Sequence, residues 1–281
     1  QALGVGAMSL IAQAVGRKDP DDANLVFNQA MALGAMLAFA TLAGGYLATS
    51  WYMNLVGADA ATVAAGSAYL YWFLPGLALQ YVNMVMMSGL RGTGVVQPTM
   101  VVQIATVLLN AALAPVLIAG IGTDKPMGVA GAGLASTISV AAGTLMLAGY
   151  MLRLEKYVHF RMPLWKPRAA VWARMINIGA PAGGEFLLMF VFMAVIYWVI
   201  RDFGAAAQAG FGLGTRLMQS IFLPAMAIAF ASGPVAGQNY GAKQLQRVRE
   251  TFRFAATVSV AGMLVVTLLC QWRPEWLVRG F

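Results

Sequence analysis

The sequence predicts an all-α polytopic membrane protein whose helices fall into two halves. Three observations predict it. Composition is the first: of 281 residues, 60% are hydrophobic and only 10% charged, with a mean hydropathy of +0.73. A soluble domain carries about 25% charged residues. The second is that the apolar residues gather into long runs, and about 20 residues at 1.5 Å rise cross the hydrocarbon core as a helix. The third is the placement of the basic residues, which sit in the connectors and mostly on one side.

Eight spans follow, at about 1–16, 25–52, 62–90, 97–120, 128–152, 172–200, 206–239 and 251–271. The first, "QALGVGAMSLIAQAVG", reads as the later part of a helix, and the chain is expected to be a piece of a longer membrane protein. The third, fourth, sixth and seventh spans carry Pro75, Pro115, Pro181 and Pro224. Each proline removes a backbone hydrogen bond and can kink its helix. The fifth span is rich in small residues, which allow close helix contact. The sixth contains "APAGGEFLLMFVFMAVIYWVI", apolar almost throughout except for Glu185. The eighth ends near Cys270, the only cysteine, which reads as a small apolar residue and excludes an internal disulfide. Between the fifth and sixth spans the chain is basic, amphipathic and broken by proline, which suits an interfacial linker. The division is therefore 1–152 for the first half, 153–171 for the linker and 172–281 for the start of the second half. The last three helices are expected to pack beside the first five without interleaving.

The connectors obey strict alternation. One side receives thirteen basic residues, from Arg17 and Lys18 through Arg91 and the linker to Lys243, Arg247, Arg249 and Arg253. The other receives Lys125, Arg201, Arg273 and Arg279. The positive-inside rule makes the linker side cytoplasmic, with the turns near Asp59, Asp124 and Asp202 facing out. The net charge of +8 thus sets topology and implies no nucleic-acid partner.

An internal repeat supports the two halves. "AQAVGRKDPDDANLVFNQA" from Ala12 aligns with "GQNYGAKQLQRVRETFRFA" from Gly237, matching Gln13 to Gln238, Gly16 to Gly241 and Lys18 to Lys243. Both stretches end a span, cross a loop and begin the next span. Same-orientation repeats are one way transporters are built, with the substrate site between the halves.

These two loops resemble the Gly-Gln-x-x-Gly-Ala motif of the multidrug and toxic compound extrusion (MATE) family. "LRGTGVVQPTMVVQIATVLLNAALAPVLIAG", "GVAGAGLASTIS", "GAPAGGEFLL" and "GLGTRLMQSIFLPAMAIAFASGPVAGQNYGAK" resemble its further motifs, in the right order. The resemblance implies helices two to nine of a twelve-helix, two-lobed fold. It implies secondary active export of small, cationic or amphipathic organic compounds in exchange for protons or sodium ions. No cofactor beyond that coupling ion is implied, the lipid bilayer is the environment, an oligomer is not required, and a bacterial inner membrane is the expected location.

Glu185 is the only acidic residue well inside a span. A charge at the bilayer centre costs roughly 2.5–3.5 kcal/mol on insertion scales, so it belongs against protein or water. It reads as a site neutralised in turn by a proton, a sodium ion or a cationic compound, or as half of an ion pair with Arg216, the only basic residue deep in a span. Asn110 stands where the family resemblance places an Asn-x-x-x-Asp pair, but the second position here is Ala114. Asn110 is read either as part of the coupling site or as an interhelical hydrogen bond. Gln80, Tyr81, Asn83 and Gln103 are candidate cleft residues, with packing contacts the alternative reading for each. The 18 methionines suit a promiscuous pocket, or plain packing.

Other classes fit less well. A lipid or polysaccharide-precursor flippase of the same wider fold is the alternative, but a phosphate-holding cleft calls for several basic residues and only Arg216 is available. Neither an Asp-rich magnesium motif nor HExxH is present, and one histidine, His159, with one cysteine cannot form a zinc set. No filter-like signature of a channel appears.

Overall fold

The computed structural model describes residues 1–56, 59–122, 126–153, 155, 157–200 and 203–272. Lys125, Lys156, Arg201, Arg273 and Arg279, the turns near Asp124 and Asp202, and the Cys270 side chain lie outside the described residues. The helices are α1 (Ala2–Gly16), α2 (Pro20–Val56), α3 (Ala60–Thr93), α4 (Gln97–Ala119), α5 (Val129–Arg153), α6 (Ala169–Ile200), α7 (Ala205–Gly241) and α8 (Leu245–Trp272), with one short 3-10 turn at Met162–Trp165. No strand occurs among the described residues. The chain is an all-α polytopic membrane protein: α2 to α8 are each long and apolar enough to cross a bilayer, and α1 is an apolar helix of 15 residues.

Several helices run past their apolar stretches. α2 begins at Pro20 and α8 at Leu245, five and six residues before the spans read from hydropathy. A helix that leaves the hydrocarbon keeps its internal hydrogen bonds, and only its side chains turn polar. Polarity therefore marks the membrane boundary rather than the helix end. Pro20 at the first position and Asp21 and Asp22 in the first turn of α2 suit a helix start and its dipole. Asp59 caps α3 by accepting the Thr62 N–H at 2.7 Å, and the hydrogen bonds from Thr62 hold its carboxyl below the usual value.

Pro75 shows how a broken helical ladder is repaired inside the bundle. Proline has no N–H, so the carbonyl of Tyr71 loses its partner one turn back. The Tyr46 hydroxyl of α2 donates to that carbonyl at 3.1 Å. The next rung is opened by Thr137 of α5, whose hydroxyl accepts from the Gly76 N–H at 3.0 Å and donates to the Trp72 carbonyl. α3 is held on both sides where its ladder is broken. α5 carries a stripe of buried residues four apart, Gly131, Ala135, Ser139, Gly143, Leu147 and Met151, which meets α4 at Gly131 and Gly143. A side chain added at Gly133 would strike the Tyr69 carbonyl of α3, so the two backbones touch there.

The three helices after the linker lie beside the first five, with α1 at the seam. α1 packs against α6 and α7 as well as against α2 and α3. Tyr197 meets Phe211 near the α6–α7 turn, ring centroids 5.3 Å apart, and the two helices make few other contacts. α1 is thus shared between the halves.

The linker is strapped to α2 rather than laid loosely over the bundle. Asn24 donates to the Tyr157 carbonyl at 2.9 Å and accepts the His159 N–H at 2.8 Å. Asn28 donates to the His159 carbonyl at 2.8 Å and accepts from Arg161 N at 2.7 Å and Trp165 Nε1 at 3.1 Å. Gln29 donates to the carbonyls of Leu164 and Lys166 and accepts from the Arg168 N–H at 2.8 Å. A carboxamide carries a donor and an acceptor, as a peptide group does. Four helical residues rise about 6 Å and two extended residues about 6.6–6.8 Å, so amides one turn apart match alternate residues of an extended chain. Close by, burial, and after it the charge of Asp19, push the Tyr157 phenol above its ordinary value.

Asn28 is fully buried. Asn28→Ala leaves the half-buried His159 carbonyl and the Arg161 N–H without these partners and is expected to cost about 1–3 kcal/mol on that account. Hydrogen exchange checks it: the Arg161 amide should exchange much faster, with a lower Tm. An Arg161 amide as protected as in the wild type would mean that the strap is held by other contacts.

Candidate functional site

The two loops matched in the sequence meet in space at the linker end of the bundle, where α1 crosses α7. The contact is reciprocal. A side chain at Gly16 would strike the Gln238 carbonyl, and one at Gly241 would strike the Gln13 carbonyl. Both helices close the same way. Asp19 and Lys18 donate to the carbonyls of Ala14 and Val15, and Gln244 and Lys243 to those of Asn239 and Tyr240, at 2.9–3.0 Å. This is the Schellman closure, which needs a left-handed residue just past the helix. Lys18 and Lys243 fill that position with φ of 59° and 60°, and no other described non-glycine residue has a positive φ. The matched Gln, Gly and Lys positions in the sequence therefore mark a true structural repeat. Gln238 also reaches α3 and donates to the Gly92 carbonyl at 3.0 Å.

Within the first half, polar side chains meet between apolar helices. Asn83 of α3, 6% exposed, donates to Thr144 of α5 at 3.3 Å. Asn110 of α4 donates to Ser136 of α5 at 3.4 Å, a long bond. Thr106 lies one turn before Asn110 and faces Gly143, where an added side chain would meet its hydroxyl. Thr106, Ser136 and Thr144 were not singled out in the sequence. Ser136 and Thr144 each follow a residue of the buried α5 stripe, Ala135 and Gly143, whereas Thr106 on α4 carried no such signal. Gln80 and Gln103 are exposed and Tyr81 is half-buried. The structure brings Asn83 and Asn110 onto α5 and leaves Gln80 and Gln103 outside that contact.

In the second half, α6 meets α1 through glycine. A side chain at Gly179 would strike the Ala2 carbonyl, and Gly183 also faces Ala2. Glu185 lies two residues further on, about 200° round the helix from Gly183. It is exposed on the described chain and forms no hydrogen bond or ion pair with a described residue. Arg216 of α7 is also exposed, and no ion pair joins it to Glu185. Among the described residues no group of three or more His, Cys, Asp or Glu is placed to hold a metal ion.

Apolar helices long enough to cross a bilayer, a repeat whose two copies cross at one end, and polar contacts between helices define a repeat-built helical membrane protein. The MatE family model matches residues 1–116 and 181–281, and the chain belongs to that family. It is 28% identical over 252 residues to the FAD transporter of Shewanella oneidensis, covering 89% of this chain and 56% of that protein. It is 25% identical over 266 residues to the multidrug export protein MepA of Staphylococcus aureus, covering 95% of this chain and 58% of that protein. A crystal structure of MATE in the bent conformation superposes with a TM-score of 0.90 at 23% identity, over 98% of this chain and 61% of that one. The chain thus spans little more than half the length of the curated relatives it matches.

Proposed function

We propose that the full-length protein is a secondary antiporter that exports small organic, mainly cationic or amphipathic compounds in exchange for protons or sodium ions, in a bacterial inner membrane. The observation that carries the reading is the reciprocal crossing of α1 and α7. Two matched helices close one end of the bundle, so separating the halves at that end and joining them at the other exposes a central site to each side in turn. The basic linker puts the closed end on the cytoplasmic side. Residues 1–152 and 172–281 act as the moving halves, joined by 153–171. Glu185, and behind it Asn110 with Asn83, are the polar groups that take up the coupling ion or the substrate's charge. With Ala114 in place of a carboxylate on α4, the coupling charge within this chain falls to α6.

A second reading has a specific observation behind it. The similarity to an FAD transporter extends over 89% of the chain, which favours a flavin-bearing dinucleotide as substrate. Arg216 is then the group that meets its phosphates.

Export from proteoliposomes separates the readings. With sodium and pH gradients imposed one at a time, an organic cation such as ethidium should move against its gradient under one of them. Export of FAD alone, with ethidium unmoved, would select the second reading. Movement of neither under either gradient would remove both.

A further inference from the structure

We infer that Asp22 is the pin of a cytoplasmic lock between the two halves. The inference rests on the reading that the halves part at this end.

The geometry is specific. Asp22, in the first turn of α2, has a side chain only 17% exposed, and its Oδ2 takes two guanidinium groups. Arg17, from the α1–α2 turn, lies at 2.6 Å, and Arg174, from α6, at 3.5 Å. Arg17 belongs to the first half and Arg174 to the second, so the second of these pairs crosses the seam. The Asp22 N–H donates to Asp19 at 3.0 Å, which fixes the carboxylate at the head of α2. Arg161 of the linker reaches neighbouring Asp21 at 3.5 Å.

The amide strap decides what this pair can do. Asn24, Asn28 and Gln29 tie residues 157–168 to α2, so the linker travels with the first half. Free chain between the halves is then confined to the step from Arg168 into α6. Arg174 lies on α6 within two turns of that step. A tie across the seam so close to the pivot resists the first part of any opening. The Gln238 bond to the Gly92 carbonyl is a second tie across the same seam, from α7 to α3. Parting the Arg174 tie leaves no lone buried charge, since Asp22 keeps Arg17 and the Arg174 side chain is 47% exposed, and the Gln238 tie carries no charge. Such contacts are weak enough to break in every cycle.

The test uses the full-length protein with its native cysteines replaced and one reporter, Ser9→Cys. Ser9 is half-buried on α1, and its carbonyl faces Gly237 across the α1–α7 seam. An impermeant maleimide is added to inverted membrane vesicles, so that it reaches the reporter only from the cytoplasmic side. Asp22→Asn and Arg174→Gln should each speed labelling about two- to fivefold, the range expected for a partly exposed pair. The double variant should label no faster than the faster single one, because both remove one interaction. Arg17→Gln, which spares the cross-seam pair, should label at the wild-type rate. Unchanged labelling in Arg174→Gln, additive rates in the double variant, or an Arg17→Gln rate equal to that of Asp22→Asn would overturn the lock. If Asp22→Asn fails to elute as a single species, Arg174→Gln alone carries the test. Labelling needs neither substrate nor coupling ion, so failed export in the proteoliposome assay and a failed lock are separate results.

Discussion

Glu185→Gln in the full-length protein abolishes gradient-driven export while expression and thermal stability stay at wild-type levels. The expected effect is among the largest because the substitution removes the only carboxylate deep within a span of this chain and little else. Glutamine keeps the length of the side chain and its hydrogen-bonding reach, but it cannot exchange a proton or a cation for substrate. Stability should hold because Glu185 makes no bond with a described residue whose loss would be felt in folding, and no ion pair ties it to Arg216. It sits beyond the Gly179–Gly183 contact with α1, on a face turned away from it. A carboxylate held at that depth without an ion-pair partner among the described residues belongs in a water-filled cleft rather than in lipid. The check is export under the gradient that drives the wild type, with yield and Tm measured in parallel. Unchanged export would return the coupling role to segments beyond this chain, and a large fall in Tm with lost yield would make Glu185 a packing residue.

Gly241→Val is expected to disrupt the assembly of the halves itself. A β-carbon at Gly241 lands on the Gln13 carbonyl, which is backbone and cannot rotate away. The matching position, Gly16, meets the Gln238 carbonyl in the same way. Overpacking costs about 1–3 kcal/mol when side chains can give, and more when two helices must separate. Gly16→Val should therefore behave alike, and the pair should not add, since one displaced crossing relieves both clashes. Gly149 and Gly262 provide the control: an added β-carbon meets nothing within 4 Å at either. Alanine there should be neutral or stabilise by about 0.5–1 kcal/mol through lower unfolded-state entropy. Thermal unfolding in detergent, followed by size exclusion, reads both sets. A Gly241→Val protein as stable and monodisperse as Gly149→Ala would show that the crossing is looser than its geometry.

The spans were legible in the sequence because the bilayer imposes one demand, an apolar helix about 20 residues long, and composition answers it directly. Their ends were less so. Pro20–Asn24 and Leu245–Glu250 are polar yet helical, since a helix persists after its side chains have left the hydrocarbon. The repeat was legible because both copies keep Gln, Gly and Lys at matched positions, and the backbone closes identically at each.

The site was legible only as a set of residue types. Glu185, Asn110 and Asn83 stand out as polar groups among apolar ones, but a span's sequence does not say which helix each one faces. Ser136 and Thr144 became their neighbours only when α5 packed on α3 and α4. The strap was hidden altogether. Asn24, Asn28 and Gln29 are ordinary polar residues beside a loop until a chain more than a hundred residues away runs past them with its peptide groups unpaired. By itself, then, the sequence determined the membrane helices and the repeat, both of which follow from local composition and spacing. Tertiary structure decided that α1 serves both halves, which polar groups meet, and where the linker is tied. Those outcomes depend on which distant segments meet and pair, and no single stretch of the chain records that.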